Sequence, residues 1–330
     1  MFSTVATLVM TYPVIAQLET HAAGIHFSDA FESVRLIWWS KEALLRGMHP
    51  AYQPLLVYPT GYFDPIHWAA PWTHLSGLPF ALLFSPLAAY NLTFLASNIL
   101  TGWAAYLLCW ELVRHDGAAL LGGLIFLFFP TRLGHAVGAH LGLIVNYWWL
   151  LYLWSLVRIW RGADWRTGAL GGLFLALTAA THTTNIAFQL LPMTALWGAA
   201  MAWKHRATWR AWLRPLGALV GVATAGMAFL YAPMFLSYLR GELRFLDDSG
   251  AVVFATDLAA FITPSPFNPV AERLGLVPGW AYDVLHDNII EGPAYLGVVA
   301  VALAGVAVWK RRADVWPWLL VMMVAMVISL

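Results

Sequence analysis

An all-α, polytopic bundle of transmembrane helices is the fold class this sequence predicts, and three observations carry the prediction. Hydrophobic residues make up 61% of the 330 and charged residues 11%, where a soluble domain is about half apolar and a quarter charged. The apolar residues fall in runs near the ~20 residues that cross a bilayer core. The Lys and Arg residues divide unevenly between alternate connections, as they do in proteins oriented by the positive-inside rule.

Taken in order, the apolar runs place about nine spans, near 2–18, 87–113, 117–131, 140–160, 168–182, 185–203, 215–238, 290–309 and 315–330. Residues 75–86 are apolar but interrupted by Pro79 and Pro86, which suits a short re-entrant or interfacial helix because proline breaks the helical ladder. Two long polar connections stand out, 19–74 and 239–289. The whole of 1–330 reads as a single transmembrane domain. It stops at Leu330 within an apolar run, so a C-terminally longer parent protein is expected.

Eleven of the eighteen basic residues lie in short connections: Arg114, Arg158, Arg161, Arg166, Lys204, Arg206, Arg210, Arg214 and Lys310 to Arg312. These loops are assigned to the cytoplasm together with the N-terminus, and the two long loops to the outer face of the plasma (inner) membrane. Thirteen of the seventeen acids and nine of the eleven histidines then fall at the outer side. Long loops hold more of every polar residue, so this bias alone assigns no site.

Other classes are excluded or left unread. A net charge of +1 without a basic tract gives no footprint for nucleic acid. Cys109 is the only cysteine, so no internal disulfide forms. The first apolar run lacks a basic flank and a small-residue cleavage site, and is read as a retained span. Asn91, Asn98, Asn146, Asn185 and Gln189 are the conspicuous polar residues within spans, where such groups bond between helices. Gly168, Gly171 and Gly172, and separately Gly217 and Gly221, offer close helix contacts.

The candidate chemistry centres on Asp29. It precedes a run in which Phe31, Val34, Trp38 and Leu45 share one side and Glu32, Arg35, Glu42 and Arg46 another, the pattern of a helix lying on the outer interface with Trp38 and Trp39 as anchors. Asp29 is either the N-cap of that helix, with Glu32 completing a capping box, or a general base or ligand of a divalent cation. The two roles are compatible. Asp64 and His67, in GYFDPIHW, read as a turn, since Asp before Pro initiates turns.

The next outer turn, FFPTRLGHAVGAHLGL, brings Arg132, His135 and His140 close in sequence. Arg suits phosphate and His either donates to it or transfers a proton. No Cys or paired acid stands at zinc-ligand spacing in that turn. His182 follows in THTTN. In the second long loop Asp257 opens a short apolar segment as a cap, and Glu291 stands where a span re-enters the membrane, favoured there by the helix dipole.

The stretches SDAFESVRLIWWSKEALLRG, SPLAAYNLTFLASNILTGWAAYLL, FFPTRLGHAVGAHL and TDLAAFITPSPFNP resemble the polytopic GT-C membrane glycosyltransferases, in the bacterial branch similar to protein mannosyltransferases and aminoarabinose transferases. The resemblance lies in the arrangement: a first span, an acid in a long outer loop with a lateral helix, then spans with short inner turns. It implies an inverting transfer of a sugar from a polyprenyl-phosphate donor to an acceptor of unassigned identity at the outer face. Asp29 matches the first-loop acid that acts as base or metal ligand. Arg132, His135 and His140 would face the donor phosphate, and Asp257 and Glu291 would line the cleft, with Glu32 and His182 as further substrate contacts. The turn at 131–139 lacks the acidic pair that some relatives use for metal, so the divalent cation stays an open expectation. The competing classes are a lipid flippase or transporter and a non-catalytic scaffold subunit. Spans almost free of ionisable groups argue against an ion-coupled carrier.

Overall fold

A computed structural model describes residues 1–183, 185–242, 255–266, 269–285 and 290–329. The chain is mostly helical, with almost no strand. Helices α1 (Phe2–Met10) and α2 (Ala30–Leu45) come first. Strands β1 (Tyr52–Gln53) and β2 (Tyr62–Phe63) then pair antiparallel, Tyr52 opposite Phe63. The series continues with α3 (Pro65–Ala69), α4 (Trp72–Leu75), α5 (Leu78–Ala81), α6 (Pro86–Val113), α7 (Asp116–Leu127), α8 (Pro130–Val137), α9 (Leu141–Ile144), α10 (Tyr147–Trp160) and α11 (Trp165–Ala179). A π-helical stretch, Asn185–Leu190, leads into α12 (Leu191–Lys204). After α13 (Leu213–Leu239) come α14 (Pro269–Arg273), α15 (Ala281–Val284) and α16 (Val298–Ser329).

Four helical stretches are long and apolar enough to cross a membrane: Pro86–Val113, Leu141–Trp160, Trp209–Leu239 and Val298–Ser329. α7 and α8 make a fifth if they count as one broken span. The runs expected at 87–113, 140–160 and 215–238 thus appear as predicted. Others are cut by local chemistry. The expected 2–18 span stops at Met10, and a single 3₁₀ turn, Val14–Ala16, follows Pro13, which has no N–H to continue a helix. The 117–131 run breaks between Leu127 and Pro130 for the same reason. The runs at 290–309 and 315–330 join in α16 across one non-helical residue, Arg311. Within the second long loop, 243–254, 267–268 and 286–289 lie outside the described residues, as do the side chains of Asn185 and Gln189.

The chain divides into two compact units. The first holds Met1–Leu127, Gly138–Thr183 and Ala211–Phe245, and the second Phe128–Val137, Thr184–Arg210 and Leu246–Leu330. In the first, α6 is the axis. Ser85 accepts from Ala88 N–H and Pro86 takes the first helical position, a strong start signal. α1, α2, α5, α7 and α10 pack on α6, α10 packs on α11, and α11 on α13. Ala104, Ala105, Val145, Tyr147, Leu150 and Leu151 form a buried core there.

Asn91, fully buried in α6, accepts from Ala23 N–H and donates to the carbonyls of Leu18 and His21. It thereby fixes the chain entering the first long loop, the between-segment role expected of a polar span residue. Asn98 instead donates to Phe94 of its own helix.

α2 forms where the sequence places it, but buries a different face. Ala30, Ser33, Leu36, Ile37, Trp39, Ser40 and Ala43 are buried, while Phe31 and Leu45 are 76% and 64% exposed. The buried face mixes small residues with Leu36, Ile37 and Trp39, and Phe31 and Leu45 fall on the other side. Trp39 is not an interfacial anchor: it is buried and its Nε1 donates to the Pro50 carbonyl, 2.9 Å away.

In the second unit α12 packs on α16. Trp197 and Trp318 are in ring contact, and Lys204 lies 3.5 Å from Asp314. Val298, Val299, Trp309 and Val327 of α16 are all strongly exposed. Such an apolar surface suits contact with lipid.

Candidate functional site

The first unit gathers Asp29, Glu32, His140 and His182. Asp29 occupies the N-cap of α2, yet its side chain makes no capping bond. Glu32 does not reach back to it either, because both its oxygens are taken by Arg35, at 2.7 and 3.1 Å. The expected capping box is absent, and the reason is this competing ion pair. The Asp29 carboxylate stays 68% exposed and lies 3.7 Å from Nε2 of His140.

Backbone geometry sets that approach. The Asp29 N–H donates to the Gly138 carbonyl at 3.2 Å. The next residue, Ala139, is fully buried with φ +58°, a left-handed conformation that costs a non-glycine residue about 1–2 kcal/mol. This reversal carries the chain from the carbonyl that holds Asp29 to the imidazole that faces it. Strain retained beside reactive groups points toward function. The ring of His182 lies along Gly142, two residues beyond His140: a Cβ on Gly142 would stand 3.2 Å from His182 Cδ2.

A second constellation in the same unit was read from sequence only as a turn. Asp64 caps α3, accepting from the N–H groups of Ile66 and His67, with Pro65 at the first helical position. The same carboxylate binds Nδ1 of His67. Burial alone would raise the Asp64 carboxyl. The bonds from the His67 ring and from the two backbone N–H groups outweigh it and hold the carboxyl below the usual carboxylate range. Since Asp64 only accepts, Nδ1 of His67 carries a proton. Nε2 of the same ring faces Glu32 at 3.6 Å, beyond hydrogen-bond length. Arg35 gives three N–H groups to Glu32 and to Gln53 Oε1, the last at 3.0 Å.

His74 lies next to His67, ring centroids 5.6 Å apart. Its Nδ1 is shut off from solvent without a hydrogen-bond partner among the described residues. Burial, then the nearby His67 and Arg35, push His74 down to about 3, so it is neutral at physiological pH. The sequence carried one signal for this group. Asp-Pro-x-His places Asp at the N-cap and His at the third helical position, where the two side chains meet. Nothing in the sequence singles out His74.

The second unit holds Arg132, His135, Asp257 and Glu291. Arg132 is buried on α8. His135 and Glu291 bring a ring nitrogen and a carboxylate oxygen within 4.8 Å of each other. The segment carrying Glu291 is seated on α8: Thr131 Oγ1 donates to the Pro293 carbonyl, and a Cβ on Gly134 would lie 2.2 Å from the Ile290 carbonyl oxygen. Glu291 therefore precedes the last long helix, which begins at Val298, rather than capping it. Asp257 does cap, accepting from Ala259 N–H at 2.7 Å ahead of the 3₁₀ helix Leu258–Phe261.

Residues 50–330 match the model of a family described as a domain of unknown function, DUF6311. No curated protein matches the chain. The matched region contains Asp64, His67, His74 and His140 and begins after Asp29 and Glu32.

Proposed function

Because this chain belongs to the DUF6311 family, whose description assigns no chemistry, we propose its activity from its own residues: a GT-C-like membrane glycosyltransferase. In this reading it moves a sugar from a polyprenyl-phosphate donor to an acceptor hydroxyl at the outer face of the plasma membrane. The carrying observation is the pairing of Asp29 with His140. A carboxylate at a helix N-cap normally serves the helix. Here it is withheld from that task, exposed, and set 3.7 Å from an imidazole by a strained turn.

The step the pairing supports is an inverting displacement. The acceptor oxygen attacks the anomeric carbon, the bond from that carbon to the phosphate oxygen breaks, and polyprenyl phosphate leaves with the bond electrons. The acceptor proton passes to the Asp29 carboxylate, a general-base role. His140 lines the same approach, its Nε2 3.7 Å from the carboxylate and outside direct hydrogen-bond reach. Arg132 and His135 are assigned to the donor phosphate for the chemistry of their side chains. Asp257 and Glu291 are assigned to the cleft on the resemblance alone. Among the described residues Asp29 belongs to no group of three ligating side chains.

About nine crossings remain part of the proposal. Asn185–Leu190 and α12 together supply twenty consecutive helical residues, roughly 30 Å. The interruption at Arg311 falls inside the basic triplet assigned to the cytoplasm.

The test is donor turnover by the purified chain in liposomes, given a panel of polyprenyl-phosphate hexoses and pentoses with and without divalent cations. Release of polyprenyl phosphate is the expected result. Bilayer crossing of the donor without any release would replace the transferase with a flippase.

A further inference from the structure

We propose that the β1–β2 hairpin and α3, within the first long loop, dip into one leaflet of the bilayer, where Leu55 to Tyr58 at the hairpin tip contact lipid acyl chains. This goes beyond the transfer chemistry of Asp29 and does not rest on it. Between Arg46 and Glu111 the sequence holds one Asp, Glu, Lys or Arg, which is Asp64. Its carboxylate is taken by the His67 ring and by the backbone N–H groups of Ile66 and His67. No other formal charge opposes entry of this stretch into a lipid environment, where charge is costly.

The depth comes from α13. It runs for 27 residues within a stretch long and apolar enough to cross, about 40 Å of helix against a hydrocarbon core of about 30 Å. Phe229 lies ten residues before its last residue, Leu239, or about 15 Å. Wherever the core is set along the helix, Phe229 falls ~5–15 Å beneath the boundary at that end. The Trp68 ring of α3 meets Phe229 edge-on, with centroids 5.8 Å apart, and α3 packs on α13. α3 is therefore held beside the hydrocarbon rather than above it, which makes lipid the occupant of the apolar surface around it.

The hairpin leads straight into α3, and the Asp64 N–H donates to the Ala51 carbonyl at its base. Leu55, Val57, Tyr58 and, on α3, Ile66 are each more than half exposed, an apolar surface of the kind that marks a contact. Tyr52, Tyr58, Tyr62 and Trp68 supply the aromatic composition of a membrane interface. The backbone fixes how far the tip enters. Pro54 and Pro59 carry no N–H, and the N–H groups of Leu56, Thr60 and Gly61 are bonded within the turn to the carbonyls of Gln53 and Val57. Those of Leu55, Val57 and Tyr58 have no partner among the described residues. Headgroup oxygens and interfacial water can meet them and the bilayer centre cannot, so the tip stops in the upper part of the leaflet.

The experiment measures depth by fluorescence quenching of the full chain in phosphatidylcholine nanodiscs, in which both faces meet the buffer. Cys109→Ala removes the only cysteine, and Val57→Cys, Phe229→Cys and Arg46→Cys then each carry one bimane label. Phe229 marks the span, and Arg46, at the exposed end of α2, marks water. The quenchers are iodide in the buffer and nitroxide-bearing phosphatidylcholine, with the nitroxide near the top or near the end of the acyl chain. The Val57 label is expected to lose most of its fluorescence to the upper nitroxide, less to the lower one and little to iodide, with the Arg46 label showing the reverse preference. Leu55→Cys gives the same readout if the left-handed Val57, φ +53°, does not accept the change. Three outcomes overturn the proposal: iodide quenches the tip as readily as Arg46; the tip is shielded from iodide and nitroxide alike, as a second copy covering it would do; or the Phe229 label escapes both nitroxides, which removes the depth scale. No sugar donor is present, so the result stands apart from whether the chain transfers one.

Discussion

The Asp64 carboxylate binds the ring Nδ1 of His67 while accepting from the backbone N–H of the same residue. One side chain thus starts α3 and orients its histidine. Asp64→Ala removes both functions and is expected to lower stability by about 1 kcal/mol, the usual loss for an N-cap. The sign with pH follows from the lowered folded-state value. Stability from ionised Asp64 is present above the ordinary carboxylate range, near pH 4, and is lost as pH falls through the lower folded value. Thermal midpoints of wild type and variant in detergent should therefore differ at pH 7 and converge as the pH falls below the folded-state value.

Glu111, near the end of α6, is buried, and it pairs with Arg114 and with Arg161, the latter at 3.2 Å. Arg161 also donates to the carbonyls of Glu111 and Leu112, tying the C-terminal ends of α6 and α10. Glu111→Gln leaves two cations facing a neutral group. The expected loss is ~2–3 kcal/mol, under the ~3–5 of a fully buried broken pair, because the two arginines are a third to a half exposed. Combining Glu111→Ala with Arg161→Ala should cost less than the sum of the two single changes, which a double-mutant cycle on unfolding midpoints measures.

Much of the fold was legible because it is written locally. Ser85-Pro86 opens α6 and the apolar run behind it carries the helix to Val113. Pro13 and Pro130 are equally local, and they shorten expected spans that a count of apolar residues had joined. What was not legible depends on partners distant in sequence. The buried face of α2 carries Leu36, Ile37 and Trp39 together with the small Ala30, Ser33, Ser40 and Ala43, and the helix packs on α6. The series Phe31, Val34, Trp38 and Leu45 therefore pointed to a different side. Asp29 looked like a cap because Glu32 follows at the right spacing, but Arg35 captures Glu32 first. His74 becomes notable only through burial beside His67.

Glycine spacing shows the same limit and gives a paired test. Gly168 and Gly172 lie where α11 meets α13: an added Cβ would stand 2.0 Å from the Pro215 carbonyl oxygen and 2.4 Å from that of Leu219. Backbone cannot yield as a flexible side chain does. Gly217 and Gly221, an equal GxxxG match, have nothing within 4 Å of an added Cβ. Gly172→Ala is expected to destabilise by ~1–3 kcal/mol through overpacking. Gly217→Ala or Gly221→Ala should be neutral or gain up to ~1 kcal/mol from helix propensity. Folded yield and thermal midpoint in one detergent separate the two outcomes.

The sharpest separation of chemistry from stability is at Asp29. Its side chain makes no capping bond, so Asp29→Asn should move stability by no more than about 0.5 kcal/mol. The same change removes the proton acceptor, and donor turnover should fall by 10²–10⁴-fold, roughly the contribution of a positioned general base. His140→Gln removes the imidazole whose Nε2 lies 3.7 Å from the carboxylate. Its expected effect is a smaller loss in kcat with KM and folded yield unchanged. A merely structural histidine would instead lower folded yield and leave the kcat of the folded fraction in place. Full turnover in folded Asp29→Asn would remove the general-base assignment whatever His140 does.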